Sequence, residues 1–486
     1  MATAVIMDIM SIQDYVFGSN ALKENLGASY IVEHFYDRLK PFRGYTGGGN
    51  AFLLFDSTKQ AEKAVKDFML ESLVQFPGVV TACAWDDGFD ENNFRKSADR
   101  LFEKLRENKN MCIPATFVPA HGITSECPRS GLSGEMFYRD EKRIQFISST
   151  SASKIAFSEN AASAASDFLV KLGLGGKYSF TVEIDKLGQE EDSDSHIAVV
   201  HVDGNDMGEK FKACQDLKDI ETLSGFLKNA VEKSFLAVIS AIDSEIGEMS
   251  SFLRPQKEKE RTILPLRPII MGGDDVTFVC EGRMGIYFAS LFMKSFEKYS
   301  APSGEKLTSC AGVAVVKTKY PFFRAYQLAE ELCRNAKKKR KEDKNTGSSY
   351  LDFHVSSGGI TGSLEEMRCR HYVNGEGYSV LMRPYSFENM ESSDGVLASM
   401  KHLKKSLAGS RIKELQKVLT LNEGKQSDFM NHLKFRGEKI PDRVMGVQYN
   451  QRLFLNQQTP FFDMVELMDI IPGYVIEKGG SRDGKI

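Results

Sequence analysis

Gly272-Gly273-Asp274-Asp275 sits between two apolar runs, Leu264 to Met271 and Val276 to Cys280. The glycines permit a tight hairpin turn that bulkier residues would strain. The flanking strands are apolar enough to be buried, so the turn holds two carboxylates at the rim of a sheet. Paired acids there repel each other unless a cation lies between them, and a divalent metal is the usual solution. Another acid comes from upstream. Ser195 to Val202 reads as a buried strand ending in Asp203-Gly204-Asn205-Asp206-Met207-Gly208, the opening of a long helix. A carboxylate at a strand end, followed by a glycine-containing turn into a helix, offers a metal ligand and backbone N–H groups for phosphate. One aspartate on this strand and two on a neighbouring hairpin suit two-metal nucleotidyl transfer. Alone, Gly-Gly-Asp-Asp would equally suit an ordinary polar hairpin; the Asp203 strand separates the two readings.

The elements that must position these acids occur twice. Thr46-Gly47-Gly48-Gly49-Asn50 matches Met271-Gly272-Gly273-Asp274-Asp275, with Gly49 and Asn50 in place of the acids. A strand from Ala2 to Met7 ends in Asp8, and an amphipathic helix runs through Ser29 to Tyr36. After each hairpin comes a helix (Lys59 to Gln75; Met284 to Tyr299), then a strand (Val79 to Trp85; Leu307 to Val316). Another helix follows, with Phe94-Arg95 or Phe323-Arg324 near its start. Both copies read strand-helix-strand-strand-helix-strand, a ferredoxin-like palm. The predicted fold is α+β: two ferredoxin-like polymerase/cyclase palm domains and a C-terminal helical domain. The divisions are 1–110 (first palm), 111–190 (insert), 191–382 (second palm) and 383–486 (helical domain). The first copy keeps Asp8 but has lost both hairpin acids, so no metal pair is expected there. Gly48, Gly49 and Asn50 instead leave room for a nucleotide without adding negative charge.

In the insert, Cys112, His121 and Cys127 lack the close cysteine pair that a structural zinc prefers. Ser148 to Ala165 reads as a loop leading into a helix, Glu190 to Asp194 as a solvated linker, and Phe252 to Arg261 as a charged loop. The helix from Pro321 to Arg340 ends in Arg334-Asn335-Ala336-Lys337-Lys338-Lys339-Arg340. Lysines there suit the helix dipole without further purpose; the functional reading is that Lys337 or a neighbour in the cluster reaches a triphosphate. Ser348 to Val355 is a closing strand, and Met400 to Leu407, Arg411 to Leu421 and Asp428 to Phe435 are helices. The tail from Lys478 to Ile486 is expected to be mobile.

A length of 486 residues predicts two to four domains. Net charge is −3, so any nucleic-acid surface must be local. No run of 18 apolar residues or secretory leader is visible, and eight scattered cysteines suit a reducing compartment. A cytoplasmic protein with no membrane partner is expected.

The ordered motifs resemble those of the large palm-containing subunit of type III CRISPR effector complexes, the Csm/Cmr large-subunit family. Asp8 to Phe17 resembles that family's opening palm motif, and Gly27-Ala28-Ser29-Tyr30 and Tyr45 to Gly49 follow in order. The second copy adds Asp203 to Gly208, Gly272 to Asp275, Ser309 to Gly312 and Ala329 to Leu332 with Ala336-Lys337; Arg383-Pro384-Tyr385 resembles the entry to the family's helical domain. The resemblance implies conversion of ATP to cyclic oligoadenylates, second messengers that switch on antiviral defence effectors. Asp203, Asp274 and Asp275 would be the catalytic acids and would bind two Mg2+ or Mn2+ ions. Gly204, Asn205, Gly272, Gly273 and Lys337 would contact the nucleotide. Guide-RNA-bearing subunits, or a self-association partner, would accompany the chain. Three departures stand out. No His-Asp dipeptide marks the family's HD nuclease, so no DNase activity is expected; the inter-palm cysteine pairs are not recognisable; and Asn205-Asp206 replaces the more familiar Asp-Asn order. Synthesis of another cyclic nucleotide without guide RNA, and a non-catalytic nucleotide-binding scaffold, are the two other readings.

Overall fold

The computed structural model describes residues 2–111, 122, 125–139, 144–188, 195–344, 347–356 and 362–478. Two sheets carry the duplicated pattern. The first has the order Gly44–Gly47, Asn50–Phe55, Ala2–Met10, Val80–Phe89, with every neighbouring pair antiparallel. The second repeats it with Leu266–Gly272, Asp275–Glu281, His196–Gly204 and Ser309–Lys317, then adds Tyr350–Val355 in parallel and the short Tyr385–Ser386. Both are the ferredoxin-like arrangement expected of a palm.

Side chains alternate across each strand, so an apolar strand covered on both faces feeds two cores. In the Asp203 strand, Ala198, Val200 and Val202 pack beneath the helices Leu217–Met249 and Gly285–Phe296, in a core that continues into the C-terminal helices through Met400, Leu415, Phe429 and Phe461. Ile197 and Val199 face the other way, against the helix Phe322–Glu342 that carries Lys337. That second core also contains Val5, Met7, Leu53, Phe17 and Ile31 of the first palm. One buried layer therefore joins the two palms beneath the Lys337 helix.

That helix lies very close to its sheet. A Cβ at Gly312 would stand 2.0 Å from the carbonyl oxygen of Ala329 and 2.4 Å from the amide nitrogen of Cys333. A side chain at Gly312 would lift the helix away, and with it Lys337.

Several local expectations change. The Ser/Ala-rich stretch is helix almost throughout, Ser149–Lys171. Ser148 caps it by accepting from the Ser151 amide at 3.2 Å, and the alanines beyond favour helix. It crosses the helix Leu22–His34 at Gly27, where a Cβ would come within 1.8 Å of the Lys154 carbonyl oxygen. Part of the charged loop is sheet: Lys257–Glu258 pairs with Arg261–Ile263, which pairs with Tyr178–Ser179. The long helix after Asp203 is two helices, Met207–Lys212 and Leu217–Met249. Asp216 restarts it, its carboxylate accepting from the Asp219 amide at 2.8 Å. Cys112, His121, Glu190 to Asp194 and the tail beyond Lys478 lie outside the described residues. Among the described residues, no helix is long and apolar enough to cross a membrane.

Candidate active site

Strand register brings the acids together. Asp203 is directly opposite Asp275 across the antiparallel pair, and Asp274 occupies the two-residue turn between Gly272 and Asp275. Gly273 has φ +48°, the left-handed first position of a type II′ hairpin that glycine fills without strain. Gly204 also has a steric task. Its amide donates to the Asp274 carbonyl at 3.0 Å, and a Cβ there would stand 2.9 Å from Asp274 Cβ. The two glycines thus let the turn lie flat against the end of the Asp203 strand.

Negative charge is concentrated there. Burial, reinforced by the Asp203 carboxylate, pushes Asp274 up to about 6 and Asp275 up to about 7. Lys337 Nζ reaches Asp203 Oδ2 at 2.6 Å. Burial opposes the ammonium, but the Asp203 charge and hydrogen bond outweigh it and hold the lysine above its ordinary value.

A cavity of about 340 Å³ opens beside this cluster. One wall is the run Asp203 to Glu209 with Asp274; the other is Lys337, Arg340 and Lys341. Spacings of three and four residues put those cations on one face of their helix. Arg340 is buried and donates to Asp206 Oδ2 at 2.6 Å, while Asp206 itself adopts φ +58°. The arginine pulls the Asp206 pKa down, which gives this aspartate a place as counter-ion to a basic wall. Asn205 is less accessible than expected of a nucleotide contact: it is buried and donates to Thr308 Oγ1 at 3.0 Å. Asp275, Gly272 and Gly273 stand outside the cavity lining. A larger cavity of about 550 Å³, lined by Phe252, Arg283 and Tyr474 among others, lies past the far end of the Asp275 strand, away from the acids.

One oxygen of the partly exposed Asp275 carboxylate faces inward. This atom, Oδ1, is buried, makes no hydrogen bond among the described residues, and lies 3.3 Å from His201 Nδ1. Sequence reasoning missed His201 and Lys341, and included Arg340 only as an unspecified neighbour in the basic helix end. His201 looks like one more member of a strand's buried alternation, and the two basic residues blend into a lysine-rich helix end.

The first palm repeats the plan with altered chemistry. Asp8 is opposite Asn50, as Asp203 is opposite Asp275, and Lys109 forms an ion pair with Asp8, as Lys337 does with Asp203. Each lysine lies the same number of residues beyond the phenylalanine that starts its helix. The turn differs: Gly48 and Gly49 both have positive φ, +60° and +81°, the type I′ pattern. Gly48, Gly49 and Asn50 do not line the 340 Å³ cavity. Tyr45, on the preceding strand, donates or accepts at 2.7 Å with Ser224 of the second palm, and the Asp274 charge is among the influences raising its pKa after burial.

The acids suit divalent cations in kind: they are hard oxygen donors, two are pushed towards the neutral form by burial and by the Asp203 charge, and Asp275 keeps an unbonded buried oxygen. As they stand they do not form a closed cage, since among the described residues no group of three or more His, Cys, Asp or Glu is placed to hold a metal.

Residues 196–346 match the model of the Cas10/Cmr2 second palm domain. A comparison with curated protein sequences finds no match. Among solved structures, Csm1 from T. onnurineus is similar over 96% of this chain and 69% of its own, at 16% identity and a TM-score of 0.53. Csm1–Csm4 cassettes in complex with one ATP and with AMPPNP are similar at 15% identity and TM-scores of 0.50, covering 97% and 96% of this chain and 69% of theirs. The chain is Cas10-like in its second palm and in its α+β fold.

Proposed function

We propose that this chain is a nucleotidyltransferase that joins ATP into cyclic oligoadenylates within a type III CRISPR defence system. The observation that carries the reading is one cavity with acids on one wall and a cationic helix face on the other. A triphosphate needs both: carboxylates to bind its counter-ions and fixed cations to orient its phosphates. The cassettes of the same fold in complex with ATP and AMPPNP favour an adenine nucleotide.

Asp203, Asp274 and Asp275 would hold Mg2+ or Mn2+, which when bound neutralises the triphosphate and makes the attacking ribose hydroxyl more acidic. Lys337 exchanges its Asp203 contact for the α-phosphate, while Arg340 and Lys341 hold the β- and γ-phosphates. The hydroxyl oxygen of one nucleotide bonds to the α-phosphorus of another in line. The bond from that phosphorus to the bridging oxygen breaks, pyrophosphate departs and the hydroxyl proton is released to water. Closure repeats this step within one oligomer. The first palm, with its neutral hairpin at Gly48, Gly49 and Asn50, presents the acceptor. Other subunits of an RNA-guided complex, or a second copy, are the proposed partners.

The test is incubation with each NTP and Mg2+, with products identified by mass. ATP should yield cyclic oligoadenylates and pyrophosphate. Asp274→Ala with Asp275→Ala should abolish both without unfolding the chain; unchanged synthesis would end the proposal. A cyclic product from another NTP would favour a different nucleotide signal. Nucleotide binding without pyrophosphate would favour a scaffold.

A further inference from the structure

We infer that His201 is a positioning residue for Asp275, aiming its carboxylate at the cations on which the proposed reaction depends. The inference rests on the nucleotidyltransferase reading. Its basis is one face of the second sheet. His201 is directly opposite Thr277, as Asp203 is opposite Asp275, and the two-residue alternation places all four on the same face. His201 Nδ1 lies 3.1 Å from Thr277 Oγ1 and 3.3 Å from Asp275 Oδ1. The second contact is close but is not aligned as a hydrogen bond, so that carboxylate oxygen is backed by the ring without being consumed by it.

The ring is itself braced. It is buried, and Tyr326 of the Lys337 helix meets it edge-on, with centroids 5.7 Å apart and planes at 82°. Tyr326 stacks on Phe17 at 3.6 Å and 17°. Phe17 ends the short helix Ile12–Phe17 of the first palm. Asp275, His201, Tyr326 and Phe17 thus form a continuous stack from the acid into the partner palm.

The chemistry at this position is narrow. An apolar side chain would leave Asp275 Oδ1 against an apolar wall, an expensive arrangement for a carboxylate. A lysine or arginine would pair with Asp275 and compete with any cation, as Lys337 already does at Asp203. A polar ring anchored by a hydroxyl supports the carboxylate without capturing it. Groups that orient metal-binding carboxylates from behind typically matter about 10- to 100-fold in metal affinity.

Mn2+ binding to the full chain, measured by calorimetry with a non-hydrolysable ATP analogue present, tests this without requiring turnover. His201→Phe should weaken Mn2+ binding by about 10-fold or more. His201→Asn keeps an N–H near the position of Nδ1 and should recover most of that loss. Thr277→Val keeps the strand's shape, releases the ring and should fall between. Analogue affinity without metal should not change, whereas a purely structural residue would lower the melting temperature and leave Mn2+ affinity alone. Folded His201→Phe and Thr277→Val chains binding Mn2+ within about twofold of wild type, against the 10-fold expected, would overturn the inference and spare the enzyme reading. A wild-type chain that takes up no Mn2+ would remove both.

Discussion

Asp275→Asn should make the chain more stable when no metal is present, and the size of that gain can be worked out. Burial and the facing Asp203 raise the carboxyl from an ordinary 3.8 to about 7. A carboxyl whose folded value exceeds its unfolded one does not burden the fold below the unfolded value. Its burden grows as pH rises between the two and is complete above the folded value. At about 1.4 kcal/mol per pH unit, the ceiling here is about 4 kcal/mol. The side chain is 32% exposed and water screens part of the repulsion, so about 1–2 kcal/mol is expected at pH 8. For a domain of this size that is a rise in Tm of about 2–8 °C. Scanning calorimetry in EDTA should show the variant above wild type at pH 8, with the gap shrinking as pH falls through 7 and closing near pH 4. Metal with ATP should then stabilise wild type more than the variant, because only the folded acid cluster binds it. A variant that melts at or below wild type at pH 8 in EDTA would refute the claim that burial and the facing acid make the Asp275 carboxylate a burden to the fold.

The glycines and Lys337 give sharper mechanical predictions. Gly204→Ala places a methyl 2.9 Å from Asp274 Cβ, so it should displace the hairpin acid and reduce product formation at least about 10-fold for about 1–3 kcal/mol of stability, read by turnover beside a melt. Gly312→Ala drives a Cβ into backbone of the Lys337 helix, and a loss above about 4 kcal/mol should appear as a collapse in soluble yield or in denaturant midpoint. Lys337→Met removes the cation from Asp203; ATP binding by titration should weaken about 10- to 150-fold, the equivalent of a charge-assisted contact of about 1.5–3 kcal/mol.

Much of this was legible because it is local or repeated. Gly-Gly-Asp-Asp announces a turn, the alternation before Asp203 announces a strand, and the match between residues 46–50 and 271–275 shows that one plan was used twice. The pairing of Asp203 with Asp275 follows once both copies are given one topology, and Lys337 was found from its helix end. What escaped depends on contacts across the chain. His201 has no local signature, and its meaning comes from Thr277 opposite and Tyr326 above. Arg340 became visible as a cavity wall only when Asp206 was seen to turn back on it. Thr308, more than a hundred residues away, holds Asn205 in the cavity wall, a contact that no local signal announces. The helix Ser149–Lys171 was hidden by serines that favour loops, and its close approach at Gly27 explains why packing prevails.

The two copies also differ in how their hairpins are built. The first palm keeps the aspartate on its leading strand and the lysine that meets it, so its electrostatic frame survives. Its hairpin, however, is a different turn. Gly49 sits at φ +81°, and a Cβ there would lie 2.4 Å from Ile12 Cδ1. Restoring the missing acid would demand a left-handed aspartate and a shift of the Ile12 side chain, which belongs to the helix that ends in Phe17. That helix supports Tyr326, and Tyr326 supports His201 behind Asp275. The site of the missing acid and the brace of the second palm thus lie at opposite ends of one short helix. The neutral hairpin at Gly49 and the stack reaching across the shared core therefore meet on the helix Ile12–Phe17, Ile12 facing the one and Phe17 carrying the other.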